Sequence, residues 1–190
     1  MERNNLPGEQ GNQAHRKIVT DKSIIWLPPL INVFKVNFDA SFSSSHELVG
    51  MGFIWGDHTW NFEGAGCSCS LVLTVKAAES RATLSTIRWA KEKNYNRIIL
   101  KGGKKQVVDY IRRSGGLKVW RSRNYLEEVV SISKSFEYFS CNHVKRTGNN
   151  ATDALSKYGR KNVCNDSWME RPPFFLNDVV ISDTVSLVGP

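Results

Sequence analysis

From Asn32 to Ser68 the chain runs through three strand-length segments too closely spaced for a helix to intervene, and this restricts the fold more than any other feature. Asn32–Asp39 alternates Val33, Lys35 and Asn37 against Phe34, Val36 and Phe38, the two-residue period of a strand. Val49–Trp55 and Trp60–Ser68 are strand-like as well, and Gly56-Asp-His-Thr59 between them is a four-residue hairpin turn. The period then changes. Thr74 can cap a helix reaching about Lys93, with Val75, Ala78, Ala82, Leu84, Ile87 and Trp89 at its apolar positions. Arg97–Leu100 reads as a short buried strand. Lys104–Arg113 and Arg123–Phe136 read as helices separated by Ser114-Gly-Gly116, Tyr138–Lys145 as a fifth strand, and Asn150–Gly159 as a last short helix. A hairpin meander followed by β-α-α-β-α predicts an α/β fold, a mixed sheet with helices on its faces.

Around that body the sequence places two tails. Residues 1–24 are polar and read as a disordered N-terminal tail; 25–162 form one domain, and 163–190 a C-terminal tail packing on it in part. Trp168, Phe174 and Phe175 in that tail either fold back over the sheet or form a surface for a protein partner. With 190 residues and 41% hydrophobic content the chain can bury a core. No apolar run is long enough to span a membrane and no signal-peptide core is present, so no membrane partner is expected. Cys67, Cys69, Cys141 and Cys164 form no CxxC pair, and no Cys/His set has zinc spacing. Free thiols in a reducing compartment, nucleus or cytoplasm, are the expectation.

The net charge of +8 points to an anionic partner, nucleic acid ahead of a membrane surface. It is concentrated. Lys101, Lys104, Lys105, Arg112, Arg113, Lys118, Arg121 and Arg123 face only Asp109 within their stretch, which therefore carries nearly the whole imbalance. Either this is a solvated face or it binds phosphates. Trp120 among these cations could stack on a base or pack in the core.

Three carboxylates are set where element ends converge on one edge of such a sheet. Asp39 ends the first strand, Glu79 lies in the first turns of the following helix, and Asp153 opens the last one. Ala77, Ala78 and Ala82 around Glu79 let its helix approach the sheet while aiming a carboxylate inward, which is costly unless something positive meets it. Hard divalent cations would serve, held roughly 3.5–4 Å apart for in-line attack on a phosphodiester. An exposed glutamate on an ordinary helix is the alternative. After Arg97–Leu100 the chain reads Lys101-Gly102-Gly103-Lys104-Lys105, with no carboxylate.

Phe34-Lys-Val-Asn-Phe-Asp39-Ala-Ser-Phe, Gly50-Met-Gly-Phe-Ile-Trp-Gly-Asp57, Ala78-Glu79, Asn96-Arg-Ile-Ile-Leu100, Val107-Val-Asp-Tyr-Ile111, His143-Val-Lys-Arg146 and Asn149-Asn-Ala-Thr-Asp153-Ala-Leu-Ser-Lys157 resemble the ribonuclease H-like domain of plant reverse-transcriptase-like proteins. The tail, Trp168 with Pro172-Pro-Phe-Phe-Leu176 and Asp183, is similar too, so the resemblance spans about 26–185. It implies a ribonuclease H fold with a five-stranded mixed sheet in order 3-2-1-4-5. It also implies Mg²⁺-dependent cleavage of the RNA strand of an RNA/DNA hybrid by four acidic residues. Asp39, Glu79 and Asp153 match three of these as catalytic and metal-binding positions. Aligning Val107-Val108 with the family's paired valines puts Gly103 at the place of the missing aspartate, and Lys101 at that of an acidic residue two positions before it. Active members of other branches also carry a mobile histidine where this chain has Arg146-Thr-Gly-Asn149.

The resulting expectation is a pseudoenzyme that holds Mg²⁺ or Mn²⁺ weakly and binds RNA or RNA/DNA hybrid through residues 101–123. Two alternatives stand beside it: a weakly active hybrid-specific ribonuclease running on Asp39, Glu79 and Asp153, and a protein-interaction module using the apolar tail. His143 is expected to be structural, Asn37 and Asn150 to be possible nucleic-acid contacts, and Gly102-Gly103 either a phosphate cradle or a plain loop. Asp57 and Asp109 are expected to lie away from the site.

Overall fold

The computed structural model describes residues 28–43, 48–59, 62–71, 74–113 and 123–179. The tail assigned to 1–24, and Lys118, Trp120, Arg121 and Asp183, lie outside the described residues. Strands β1 (Phe34–Phe42), β2 (Leu48–Gly56) and β3 (Phe62–Leu71) form the antiparallel meander. Helix α1 (Val75–Glu92) leads to β4 (Arg97–Gly102), which lies parallel to β1 on the side away from β2. Helices α2 (Lys105–Arg112) and α3 (Arg123–Ser133) follow. Strand β5 (Tyr138–His143) then runs parallel to β4, and α4 (Asn150–Asn162) closes the alternation.

The sheet has six strands rather than the five implied by the resemblance, in order β5-β4-β1-β2-β3-β6. The implied order 3-2-1-4-5 is intact inside it. The addition is β6 (Asp166–Met169), drawn from the tail and paired antiparallel with β3 from Gly64↔Met169 to Cys67↔Asp166. Four residues beginning Asp-Ser carry no readable period; the strand forms because the edge of β3 offers unpaired backbone groups.

Two cores lie on the two faces. Val36, Phe38, Met51 and Trp55 meet Ala78, Ala82, Leu84 and Ile87 of α1 and Val108, Leu126 and Val129 of α2 and α3. Thr74 caps α1, its hydroxyl accepting from the Ala77 N–H at 3.2 Å. On the opposite face Ala65 and Cys67 of β3 pack with Leu155 of α4 and with Leu176 in the 3₁₀ turn Phe174–Leu176. Here α4 rests directly on β2. A Cβ at Gly52 would lie 2.5 Å from the Ser156 nitrogen and 2.6 Å from the Thr152 oxygen, and one at Gly50 only 1.7 Å from the Ser156 oxygen. Glycine is required because the helix backbone itself occupies the side-chain space.

Gly52→Val should therefore lever α4 off the sheet, costing ~3 kcal/mol of stability in urea unfolding. Gly103→Ala, whose Cβ meets nothing nearer than 3.6 Å, should stay within about 0.5 kcal/mol of the parent. Equal losses from the two would refute the helix-on-strand contact.

Candidate active site

Asp39 sits where β1 outruns β4. Phe38 pairs with Gly102, the last residue of β4, while Asp39 pairs with Gly52 of β2. The sequence reading ended the strand at Asp39; it continues to Phe42, because β2 still offers partners as far as Val49. Glu79 projects from the second turn of α1 and is 8% exposed, its helix drawn in by the buried Ala77, Ala78 and Ala82. Asp153 lies in the first turn of α4.

That turn is fastened to β1 by Asn149, a buried residue. Its side-chain N–H donates to the Phe38 carbonyl at 3.0 Å, and its Oδ1 accepts from Asn37 Nδ2 at 3.1 Å. The Asp153 N–H donates to the Asn149 carbonyl at 3.1 Å. Asn37, expected as a nucleic-acid contact, is thus buried and committed to this junction. Asn150 is exposed and donates to the Thr147 carbonyl at 2.9 Å.

Asp39 comes into electrostatic reach of both Asp153 and Glu79. Burial pushes Asp39 up to about 6; the Ala40 backbone hydrogen bond opposes this, and the charge of Asp153 adds to it. Glu79 rises to about 8, chiefly through burial and then through Asp39, with Lys104 opposing. Its Oε2 is buried with no hydrogen-bond partner among the described residues. An orphaned oxygen in a cluster of acids wants a proton or a cation, and oxygen donors suit a hard divalent ion. Asp39 and Glu79 therefore fit Mg²⁺ or Mn²⁺ in donor chemistry. Asp153 is already engaged: Lys157 Nζ lies 2.5 Å from its Oδ2, and Arg146 lies 3.7 Å from its Oδ1.

Gly103 opens toward this cluster. A Cβ placed there would be 3.6 Å from Asp39 Oδ1 and 4.0 Å from Asn149 Nδ2, so a side chain has room to reach the acids. The Gly103 carbonyl meets His143 Nε2 at 3.0 Å; a carbonyl only accepts, so Nε2 is the donor and His143 braces the turn. Lys104 is the N-cap residue of α2 and makes no side-chain cap.

The cations of the basic stretch are not equivalent. Lys101 is a strand residue, half-buried, paired in register with Asn37 and Asn142, and burial lowers its pKa. Its charge also adds to burial in bringing the buried Lys35 down to about 6. Lys105 pairs with Asp109 at 2.9 Å and Arg123 with Glu127 at 2.6 Å. Arg112 and Arg113 are exposed at the end of α2. Asp109 is held by Lys105, and Asp57 closes the β2–β3 turn by accepting from the Thr59 N–H at 2.7 Å. Sequence reasoning missed Asn149, Lys157 and Arg146 as members of the site. The Asp153–Lys157 spacing of four was a usable signal for the second.

A mixed sheet in this order, with acids from β1, α1 and α4 meeting at one edge, defines a ribonuclease H-like fold. Residues 37–159 match the model of the reverse transcriptase-like family, and the chain belongs to that family. The RNase H1 of the halophilic archaeon Halobacterium salinarum is similar in structure at 18% identity and a TM-score of 0.64, over 68% of this chain and 98% of that one. LC11-RNase H1, solved in complex with an RNA/DNA hybrid, aligns at 12% identity with a TM-score of 0.62, covering 68% and 97%. The N-terminal RNase H domain of rv2228c from Mycobacterium tuberculosis gives 14% and 0.60, covering 69% and 95%. No curated protein matches the sequence.

The acid cluster has a consequence for stability. Glu79 ionises near 4.5 when unfolded and near 8 when folded, so between these values the folded state holds a proton the unfolded chain has released. Stability should fall as pH rises from about 4.5 to about 8 and then level, the total being roughly 3–5 kcal/mol at ~1.4 kcal/mol per unit. Glu79→Gln should flatten most of this slope in urea unfolding at pH 5, 7 and 9. Parallel profiles for the two proteins would show that Glu79 is not the titrating group.

Proposed function

We propose that this domain is a catalytically inactive ribonuclease H relative that binds RNA or RNA/DNA hybrid along its backbone. The observation that carries the reading is Gly103: it opens onto Asp39 at the end of β4, where an aspartate side chain would complete the acid set, and contributes no ligand. We take Gly103 to occupy the place of the missing catalytic aspartate. One carboxylate facing a divalent ion is worth a few kcal/mol, and losing about 4 kcal/mol of transition-state stabilisation lowers a rate roughly a thousandfold. Lys104 beside Glu79, with Lys157 and Arg146 on Asp153, supplies positive charge where cations would otherwise be recruited. Residual Mg²⁺ or Mn²⁺ binding would fall to Asp39, Glu79 and Asp153, and the ion would supply a polarised phosphate and an activated water.

Nucleic acid is the partner that the net charge of +8 and the family favour. LC11-RNase H1 holds an RNA/DNA hybrid, which supports the same ligand class here. Among the described cations of the 101–123 stretch, Lys101, Lys104, Arg112 and Arg113 are in none of the ion pairs above, and Lys105 and Arg123 can exchange their carboxylates for phosphates. If about five cations meet phosphates, including Lys118 and Arg121, log K should fall with log salt at a slope of about −4 to −5. A second reading, a weakly active metal-dependent ribonuclease, is favoured by the orphaned Glu79 oxygen.

Cleavage of an end-labelled RNA/DNA hybrid in Mg²⁺ and Mn²⁺ separates the two. The native chain should be silent and Gly103→Asp should cut, with the gain abolished by adding Asp39→Asn. Cutting by the native chain that disappears with Asp39→Asn would establish the second reading instead.

A further inference from the structure

Among the described residues, one group of ligating side chains outside the acid cluster converges from positions far apart in sequence. Cys67 on β3, Cys164 just after α4 and Asp166 at the start of β6 bring two sulfurs and a carboxylate oxygen within 4.8 Å of one another. The sulfurs are 3.9 Å apart. Two thiolates on a tetrahedral zinc ion, each at about 2.3 Å, stand about 3.8 Å from one another, whereas a disulfide requires about 2.05 Å. Backbone geometry holds the set in place. Cys67 and Asp166 are register partners in the β3–β6 ladder, and Asn165 Oδ1 accepts the Cys69 N–H at 3.2 Å. Val163, in a left-handed conformation at φ 50°, turns the chain so that Cys164 returns over β3. Cys67 is 3% exposed, Cys164 is half-buried and Asp166 is exposed, which leaves one side open to water as a fourth ligand.

We propose that Cys67, Cys164 and Asp166 form a site for a thiophilic divalent cation of the zinc class, which clamps β6 and the tail behind it to the edge of β3. Both cysteines are free thiols, and their sulfurs are too far apart for a disulfide. On metal binding two S–H bonds break and two metal–sulfur bonds form. Both protons leave to solvent, and two thiolates with one carboxylate leave the bound divalent ion one negative charge in excess. The same clamp would fix Trp168, which lies in β6 and packs edge-on against Tyr158 and Phe175.

The test titrates the whole chain, held reduced with a phosphine, with cobalt(II) as the spectroscopic probe. A saturable sulfur-to-cobalt charge-transfer band in the near ultraviolet is expected. It should be displaced by zinc, lost in Cys164→Ser, weakened at subsaturating cobalt in Asp166→Asn and retained in Cys69→Ser. Zinc should also raise the melting temperature of the parent and leave that of Cys164→Ser unmoved. Cobalt held by Asp39 and Glu79 would give no sulfur band, so the acid cluster cannot mimic the result. Absence of the band while both thiols count as reduced overturns the proposal. So does its survival in Cys164→Ser or its loss in Cys69→Ser.

Discussion

The seating of α4 on glycines of β2 is the constraint on which the rest of this structure depends. With no Cβ at Gly50 or Gly52 the helix backbone descends onto the strand, and Asn149 then reaches the Phe38 carbonyl. That single junction carries Asp153 to the edge of β1 beside Asp39. It also brings Lys157 and Arg146 with it, since both lean on Asp153. The far end of the same helix, turned at Val163, delivers Cys164 to Cys67 and starts β6. Asp153 and Cys164 are thus positioned by one helix, from its two ends.

Much of this was legible in the amino-acid order, for reasons that can be named. The alternation in β1 and the Ala-rich face around Glu79 are local patterns with a fixed period, and they report which side of an element faces the core. The placement of the three acids followed from element ends alone. What escaped was whatever depends on contacts distant in sequence or on pairing without a pattern. β6 is four residues long and exists because β3 has a free edge. Asn37 looked like a surface amide on a polar strand face, and it became buried because α4 covers that face. The Cys67–Cys164 approach spans 97 residues and includes a carboxylate ligand, so no spacing rule for cysteine could have found it. Lys35 likewise read as the polar face of a strand and is 2% exposed.

The acid cluster shows what it costs a fold to gather carboxylates at one edge of a sheet. Asp39 and Glu79 are both held above their ordinary values by burial, which is a standing cost to the folded state at neutral pH. In a nuclease the cost is offset by bound metal. Here two other routes offset it in part: Glu79 can stay protonated, and Asp153 is matched by Lys157 and Arg146. A carboxylate at position 103 would add a further negative charge beside Asp39 and deepen the penalty unless a cation were bound. Glycine at 103 adds no negative charge to the cluster, and the charge of Lys104 opposes the rise of Glu79. On this argument, the lack of a carboxylate at 103 and the presence of the three acids beside it are physically compatible. Glu79 is buried with its pKa raised to about 8, Asp39 is half-buried with its own raised to about 6, and Asp153 is ion-paired with Lys157.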